Sequence, residues 1–219
     1  MYAEVIMNDR SSNRCSRIEM GSWPRAKHYA HFLHYQMPEY RITVPLDISN
    51  FRMVVKKKGW SFTLAMNYAV AYCANQAEEF RCRIVDGRPV LYDRIDTAFT
   101  YLNKETELFR TIVAPLTSSM AEYVVSAAKI AEKKEEYFDE ELPADVFLLT
   151  AMPWLAFTQC THADEGGKRN GMPLFEWGKY EIREGREVMP FTVHVHHSFV
   201  DAVHVAKVVK LLQDYLDSL

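Results

Sequence analysis

Three strand-like segments followed by one helix, all in the last third of the chain, restrict most strongly what this sequence can fold into. The segments are VFLLTAMPWLAFTQ (146–159), FEWGKYEIREG (175–185) and REVMPFTVHVHH (186–197). The helix is VHVAKVVKLLQDYLDSL (203–219), whose apolar residues have the spacing of an amphipathic helix. A chain with this order needs a sheet with a helix packed on it, so we expect an α/β fold.

The first two thirds of the chain add further elements of both kinds. Helices are predicted over 25–35, from Asp47 or Ser49 to the lysines at 56–58, over 61–76 with Ser61 as N-cap, and over 117–137. Strands are predicted at 40–48 and 95–102, with a hairpin turn at Asp86-Gly87. This irregular alternation predicts a two-layer α/β sandwich with a mixed sheet. No linker interrupts residues 1–219, so we expect one domain, with a polar surface loop at 162–173.

Composition excludes several partners. The net charge of -3 provides no broad basic surface for nucleic acid. The longest apolar run, 146–157, is too short for a membrane span and contains Pro153. The four cysteines form no CxxC pair, and the N-terminal segment has no apolar core of a signal peptide, so we expect a cytoplasmic protein. GxSxG, Walker, GxGxxG and HExxH motifs are absent.

The stretch FTVHVHHSFVDAVHV (191–205) holds four of the eight histidines. On a strand, His194 and His196 share one face and His197 points the other way. Two ligands on one face make an incomplete metal site. His194 and His196 are therefore better interpreted as ordinary polar residues of a strand. His197, at the strand end, is well placed as a general base, because neutral imidazole is available at physiological pH. Asp201 could orient it or be held by an arginine, and the alternative is a helix-capping aspartate beside a core histidine.

The stretch HHSFVDAVHV (196–205) resembles the HHxxxDGxHV signature of the chloramphenicol acetyltransferases. Other segments are similar to that family in the same order. They are WPRAKHY (23–29), the stretch 79–109, MPWLAFTQC (152–160) and FEWGKYEIREGREVMPFTVHVHH (175–197). Together they span nearly the whole chain in register, which specifies a fold far better than a lone HxxxD motif.

The resemblance implies a homotrimer with each active site at a subunit interface. His197 is then the general base that takes the proton from an acceptor hydroxyl, which attacks the thioester of acetyl-CoA directly. Acetyl-CoA is a co-substrate, and neither a permanently bound cofactor nor a metal is implied. Asp201 is implied to pair with Arg25 and support the site. The implied acceptor is chloramphenicol or another small hydroxyl compound, with antibiotic resistance as the associated role.

The resemblance also assigns residues around the base. Lys179 corresponds to a lysine near the coenzyme phosphates. Phe32, Tyr40 and Phe99 correspond to aromatic or apolar positions of the acceptor pocket. Packing in the core is the alternative for these three residues, and for Phe99 that alternative is at least equally good.

Four positions depart from the family pattern. Gln159 stands at the position assigned to the serine that steadies the oxyanion, and Glu176 at that of a water-ordering threonine. Ser61 replaces a lysine near the coenzyme, and Ala202 replaces the signature glycine, which requires a negative φ. Gln159 still has N–H donors, whereas an ionised Glu176 only accepts hydrogen bonds.

These departures leave a second function open. The leading hypothesis is an O-acetyltransferase, and the alternative is a non-catalytic or altered-specificity relative that binds CoA or a ligand without efficient transfer. The larger groups Gln159 and Glu176, one of them charged, predict that chloramphenicol is a poor acceptor and a smaller or cationic hydroxyl compound a better one.

Overall fold

The structure is a computed structural model that describes residues 5–6, 13–138, 141–163 and 170–219. Of the surface loop that the sequence predicts at 162–173, residues 164–169 lie outside the described part of the chain. Within that part, no helix combines the length and the apolar character needed to cross a membrane.

Six helices and eleven strands occur in the residues that the structure describes. The helices are α1 (Ala26–Leu33), α2 (Ser49–Lys58), α3 (Phe62–Ala74), α4 (Glu78–Arg81), α5 (Met120–Lys133) and α6 (Ala202–Asp217). The strands are β1 (Val5–Ile6), β2 (Cys15–Arg17), β3 (Glu39–Asp47), β4 (Cys82–Val85), β5 (Arg88–Tyr92), β6 (Asp96–Leu102), β7 (Phe109–Ala114), β8 (Val146–Met152), β9 (Leu174–Gly178), β10 (Glu181–Arg183) and β11 (Arg186–His196).

A seven-stranded mixed sheet forms one layer of the molecule. Its strand β11 pairs antiparallel with β3 on one side and with β9 and β10 on the other. β9, β8 and β6 follow as parallel neighbours, and β7 closes the far edge antiparallel to β6. A second sheet has the order β1-β2-β5-β4. The mixed sheet that the sequence predicts is therefore confirmed.

The two faces of the large sheet differ because side chains alternate along each strand. Phe99, Leu149, Phe175 and Val193 lie in register on neighbouring strands and are buried in the apolar core. Helices α2, α3 and α5 contact the sheet and α6 packs on α2 and α3, with α3 buried along most of its length. This helix-on-sheet packing is the two-layer α/β sandwich expected from the sequence.

The opposite face of the sheet, called the outer face below, carries a row of polar residues. Thr43, Thr192, Glu176 and Thr150 occupy neighbouring register positions on β3, β11, β9 and β8. Thr192 and Glu176 are fully buried, and the Thr43 and Thr192 hydroxyls are 2.8 Å apart. Buried polar groups need hydrogen-bond partners, and the segment that follows β8 supplies those of Glu176.

Turn and cap residues account for several boundaries that the sequence predicts correctly. Asp86 and Gly87 have φ values of 50° and 73°, the left-handed pair that a tight hairpin between β4 and β5 requires. Ser61 caps α3 by accepting a hydrogen bond of 3.4 Å from the Leu64 N–H. Helix α2 ends at exposed lysines, and Gly59 follows with a φ of 67°.

Two predicted strands have wrong boundaries, and β7 is one of several elements that the sequence does not predict. The strand predicted over 146–159 ends at Met152, because Pro153 has no N–H with which to continue the ladder. The strand predicted over 175–185 is two strands, β9 and β10. β7 was not predicted, and it lies at the edge of the sheet, where a strand has only one neighbour to define its pattern.

Candidate active site

His197 lies at the end of β11, where the chain leaves the sheet and turns into α6. Pairing between β11 and β3 runs to His196 and Glu39, and the His197 N–H then donates to Pro38 O at 2.8 Å. The His197 side chain is 37% exposed. The sheet therefore fixes the backbone of this histidine while its ring stays accessible.

Arg25, just before α1, holds the turn between β11 and α6. Its guanidinium donates two hydrogen bonds of 2.6 Å, one to each carboxylate oxygen of Asp201. It also donates to His197 O at 2.8 Å and to Ser198 O at 2.7 Å. Only the planar fork of arginine offers donors in these directions at once. The structure thus contains the Arg25–Asp201 ion pair, and the same side chain fixes the backbone of His197.

Asp201 also faces the imidazole ring. Its Oδ1 lies 3.0 Å from His197 Nδ1, although the two groups are not aligned for a hydrogen bond. Hydrogen bonds from Arg25 lower the pKa of Asp201, and they outweigh the opposing effect of burial. Asp201 therefore stays ionised at neutral pH and presents negative charge to Nδ1, which favours a proton on that nitrogen.

Two aromatic rings restrict the imidazole. The Phe32 ring stacks on His197 with the centroids 4.0 Å apart and the planes at 7°. The Tyr40 ring lies 4.8 Å from it at a tilt, and the Tyr40 hydroxyl donates to Val200 O at 3.2 Å. Burial raises the pKa of Tyr40 to about 12, and the charge of Asp201 acts in the same direction. The Tyr40 hydroxyl is therefore neutral and fixed by its carbonyl partner.

His204, in the first turn of α6, supports Asp201, a role that the sequence reasoning missed. The Asp201 N–H donates to His204 Nδ1 at 2.9 Å, so a neutral His204 carries its proton on Nε2. That nitrogen lies 3.4 Å from Glu79 Oε1. The position of His204 in the signature, three residues after the aspartate, was the available signal. These residues, with Trp23, border a surface groove of about 390 Å³.

His194 and His196 lie on the outer face of β11. His196 is buried, and its Nδ1 accepts a hydrogen bond of 3.1 Å from the Ser198 N–H. Among the described residues, no group of three or more His, Cys, Asp or Glu side chains is placed to hold a metal ion.

The other assigned positions are distributed over the fold. Phe99 is only 2% exposed and belongs to the apolar core, which fits the core alternative better than a pocket wall. Lys179 is exposed just after β9, and its N–H donates to Leu155 O at 2.7 Å. Ala202 is the first residue of α6 and has a negative φ, so the glycine of the signature is not needed there.

Gln159 and Glu176 lie in different environments. Gln159 is exposed in the segment after β8, whereas Glu176 is 0% exposed on the outer face of β9. The residue in register with Glu176 on β8 is Thr150, a hydroxyl that the sequence reasoning passed over. Glu176 Oε1 accepts hydrogen bonds from His162 Nδ1 at 3.0 Å and from the Cys160 thiol at 3.4 Å. The carboxylate is therefore enclosed and paired rather than directed to solvent.

The titration of this group follows from its contacts. Burial acts to raise the pKa of Glu176, but the hydrogen bonds from His162 and Cys160 outweigh it and lower the pKa. The hydrogen bond to Glu176 raises the pKa of His162 against the effect of burial. Burial raises the pKa of Cys160 to about 11, and the charge of Glu176 adds to this effect. At neutral pH the carboxylate is ionised and the thiol is protonated.

Comparison with known proteins agrees with this architecture. Residues 13–213 match the family model described as chloramphenicol acetyltransferase. A chloramphenicol acetyltransferase of Streptomyces acrimycini is 29% identical over 91% of this chain and 93% of its own. One of Proteus mirabilis is 26% identical over 91% of this chain and 94% of its own.

Solved structures with the same fold support this comparison. A chloramphenicol acetyltransferase structure superposes with a TM-score of 0.85 and 34% identity, over 92% of this chain and 99% of that one. A dihydrolipoamide acetyltransferase of Azotobacter vinelandii shares the fold at a TM-score of 0.62 and 18% identity, over 87% of this chain and 86% of that one. The fold and these relatives define an acetyltransferase. More narrowly, the chain belongs to the chloramphenicol acetyltransferase family.

Proposed function

We propose that this protein transfers the acetyl group of acetyl-CoA to a hydroxyl of a small acceptor, with His197 as general base. The observation that carries the proposal is the set of contacts that fix His197. Its backbone is held by Arg25 and Pro38, its ring is stacked on Phe32, and its Nδ1 faces Asp201. Nε2, on the other side of the ring, is left to take a proton from the accessible side.

The proposed reaction is a direct transfer. Nε2 takes the proton as the acceptor oxygen attacks the thioester carbonyl carbon, and a tetrahedral intermediate forms. The intermediate then collapses, the C–S bond breaks, and the CoA sulfur leaves and recovers a proton from the imidazolium. Asp201 stabilises the imidazolium through its charge at 3.0 Å. No acyl-enzyme is required, because the base acts on the acceptor itself.

The relatives support the proposed acceptor, and a residue of this chain supports the proposed coenzyme. The relatives named chloramphenicol acetyltransferase make chloramphenicol the first acceptor to test, with other small hydroxyl compounds next. On the coenzyme side, Lys179 is an exposed cation at the end of β9, suitable for a phosphate group. Ser61 offers no cation at the second coenzyme position, so Lys179 has the larger share of that role.

The test of this function is release of CoA thiol that depends on the acceptor. Acetyl-CoA, the protein and chloramphenicol should together generate free thiol faster than acetyl-CoA and protein alone. A panel of small neutral and cationic alcohols distinguishes a protein that uses a different acceptor from a protein that transfers the acetyl group to none. Binding of CoA without thiol release from any acceptor would favour a non-catalytic relative instead.

We also propose that the active unit is a homotrimer in which a second copy closes the site. In the single chain, Phe32 and Tyr40 cover His197, and its side chain is still 37% exposed. Tyr35 and Met37, just before the Pro38 carbonyl that binds His197 N–H, are 49% and 75% exposed. Apolar side chains this exposed beside a reactive group suit a contact with another subunit.

Light scattering should therefore give a mass of three times the 25.5 kDa chain. Met37→Glu should shift the protein towards monomers, because it places a charge in the proposed contact. Met53→Glu is the matched control, since Met53 is 62% exposed on α2, away from these residues. A wild-type monomer at every concentration would remove the interface and the shared pocket.

A further inference from the structure

Residues 155–163, called the strap below, follow β8 and are attached to β9 at two points. At the first, Leu155 O accepts the hydrogen bond of 2.7 Å from Lys179 N–H. Gly178 permits this approach, because a Cβ there would collide with Leu155 O and with the Phe157 ring. The strap thus lies directly against the backbone of β9.

The second attachment is the Glu176 carboxylate. Cys160 and His162 both donate to its Oε1, at 3.4 Å and 3.0 Å. Glu176 is 0% exposed while the His162 side chain is 44% exposed, so the histidine covers the carboxylate from the solvent side. Oε2 of Glu176 is buried and makes no hydrogen bond within the described residues. The carboxylate therefore depends on the strap for its hydrogen bonds.

The charge of His162 determines how well this attachment holds. A buried carboxylate is costly unless it is paired with a positive group. Arg41 on β3 acts on Cys160 through its charge, and His194 on β11 acts on Glu176 in the same way. Cys160 is neutral. Of Cys160 and His162, the two donors to Glu176 Oε1, His162 is the one that can carry a positive charge.

We propose that His162 attaches the strap in a pH-dependent way. Its charged form holds the strap on Glu176, and its deprotonation as the pH rises releases the strap from the outer face of β9. Because the same strap accepts the Lys179 N–H, release also frees the backbone of that residue. The proposal concerns the strap itself and stands without the proposed acetyl transfer.

The direction of the pH effect follows from the two shifts. The pKa of His162 is raised, so its contribution is complete below the ordinary histidine value of about 6.5 and is lost as pH rises through the raised value. The pKa of Glu176 is lowered, so its contribution is complete above about 4.3 and is lost as pH falls through the lowered value. The attachment of the strap through His162 and Glu176 is therefore most stable between about pH 4.3 and about pH 6.5.

Cys160 reports on the strap, because it alone among the four cysteines is not buried. Its alkylation by iodoacetamide is followed by peptide mass spectrometry in native and in urea-unfolded protein at each pH. The ratio of the two rates removes the pH dependence of the unfolded thiol, and comparison with His162→Lys removes the part that comes from the raised pKa of Cys160 in the folded protein. We expect this protection ratio to fall at least tenfold from pH 6 to pH 9 in the wild type.

Three variants separate charge from packing. His162→Gln should give low protection with no pH dependence, whereas His162→Lys should keep high protection to pH 9. His34→Gln, at an exposed histidine after α1, should behave as the wild type. Wild-type protection that is constant from pH 6 to pH 9, or high protection in His162→Gln, would overturn the proposal. If His162→Gln fails to fold by circular dichroism, the wild-type series and His162→Lys still decide.

Discussion

Replacing His197 with alanine should lower kcat for acetyl transfer by a factor of about 10²–10⁴. No neighbouring group can take over the proton. The Tyr40 hydroxyl is neutral because burial raises its pKa to about 12, and Asp201 is held by two hydrogen bonds from Arg25. The expected loss corresponds to about 3–5 kcal/mol of transition-state stabilisation. Initial rates of thiol release at saturating acetyl-CoA measure it.

Binding of CoA separates this effect from damage to the fold. Because His197 touches Phe32 and Tyr40 rather than Lys179, calorimetry should give nearly the same affinity for CoA in His197→Ala as in the wild type. His34→Ala, at an exposed histidine outside this cluster, should keep full activity. A His197→Ala protein that turns over at the wild-type rate would end the general-base mechanism.

The sequence was sufficient for much of the fold because local rules and the long-range contacts agree. Asp86-Gly87 can form little but a hairpin turn, and Ser61 precedes an apolar helical run as an N-cap. The signature identified His197 and Asp201 as site residues. The resemblance predicted that Arg25 pairs with Asp201, and the structure contains this ion pair. Each of these features rests on residues whose chemistry allows few alternatives.

What the sequence could not provide are contacts that depend on the path of an irregular segment. After Pro153 the chain has no periodic pattern, so nothing indicates that Cys160 and His162 return to β9 and enclose Glu176. Register alone then decides which hydroxyls neighbour Glu176, and they are those of Thr150 and Thr192. A charged residue in a strand is expected to be exposed, and here the strap reverses that expectation.

Arg25→Ala should lower both the stability and the activity of the protein. It removes four hydrogen bonds and leaves the Asp201 carboxylate uncompensated beside His197. Breaking one side of a buried ion pair costs about 3–5 kcal/mol. Asp201 is 31% exposed, so we expect the loss in the free energy of unfolding towards the lower end of that range. Urea unfolding followed by circular dichroism measures it.

Arg25→Lys, Asp201→Asn and the pH dependence together identify the origin of the loss. Lysine keeps the charge but cannot reach Asp201, His197 O and Ser198 O at once, so it should recover only part of the stability. The double variant Arg25→Ala, Asp201→Asn should lose less free energy of unfolding than the two single variants lose together, because no carboxylate is left unpaired.

The pH dependence tests the charge of the pair. The lowered pKa of Asp201 means that its contribution to the free energy of unfolding is present above about 3.9 and is lost as pH falls through the lowered value. The gap between wild type and Arg25→Ala should therefore narrow in acid, and a gap that is constant from pH 7 to pH 3 would show that packing of the arginine, not its charge, supports the site.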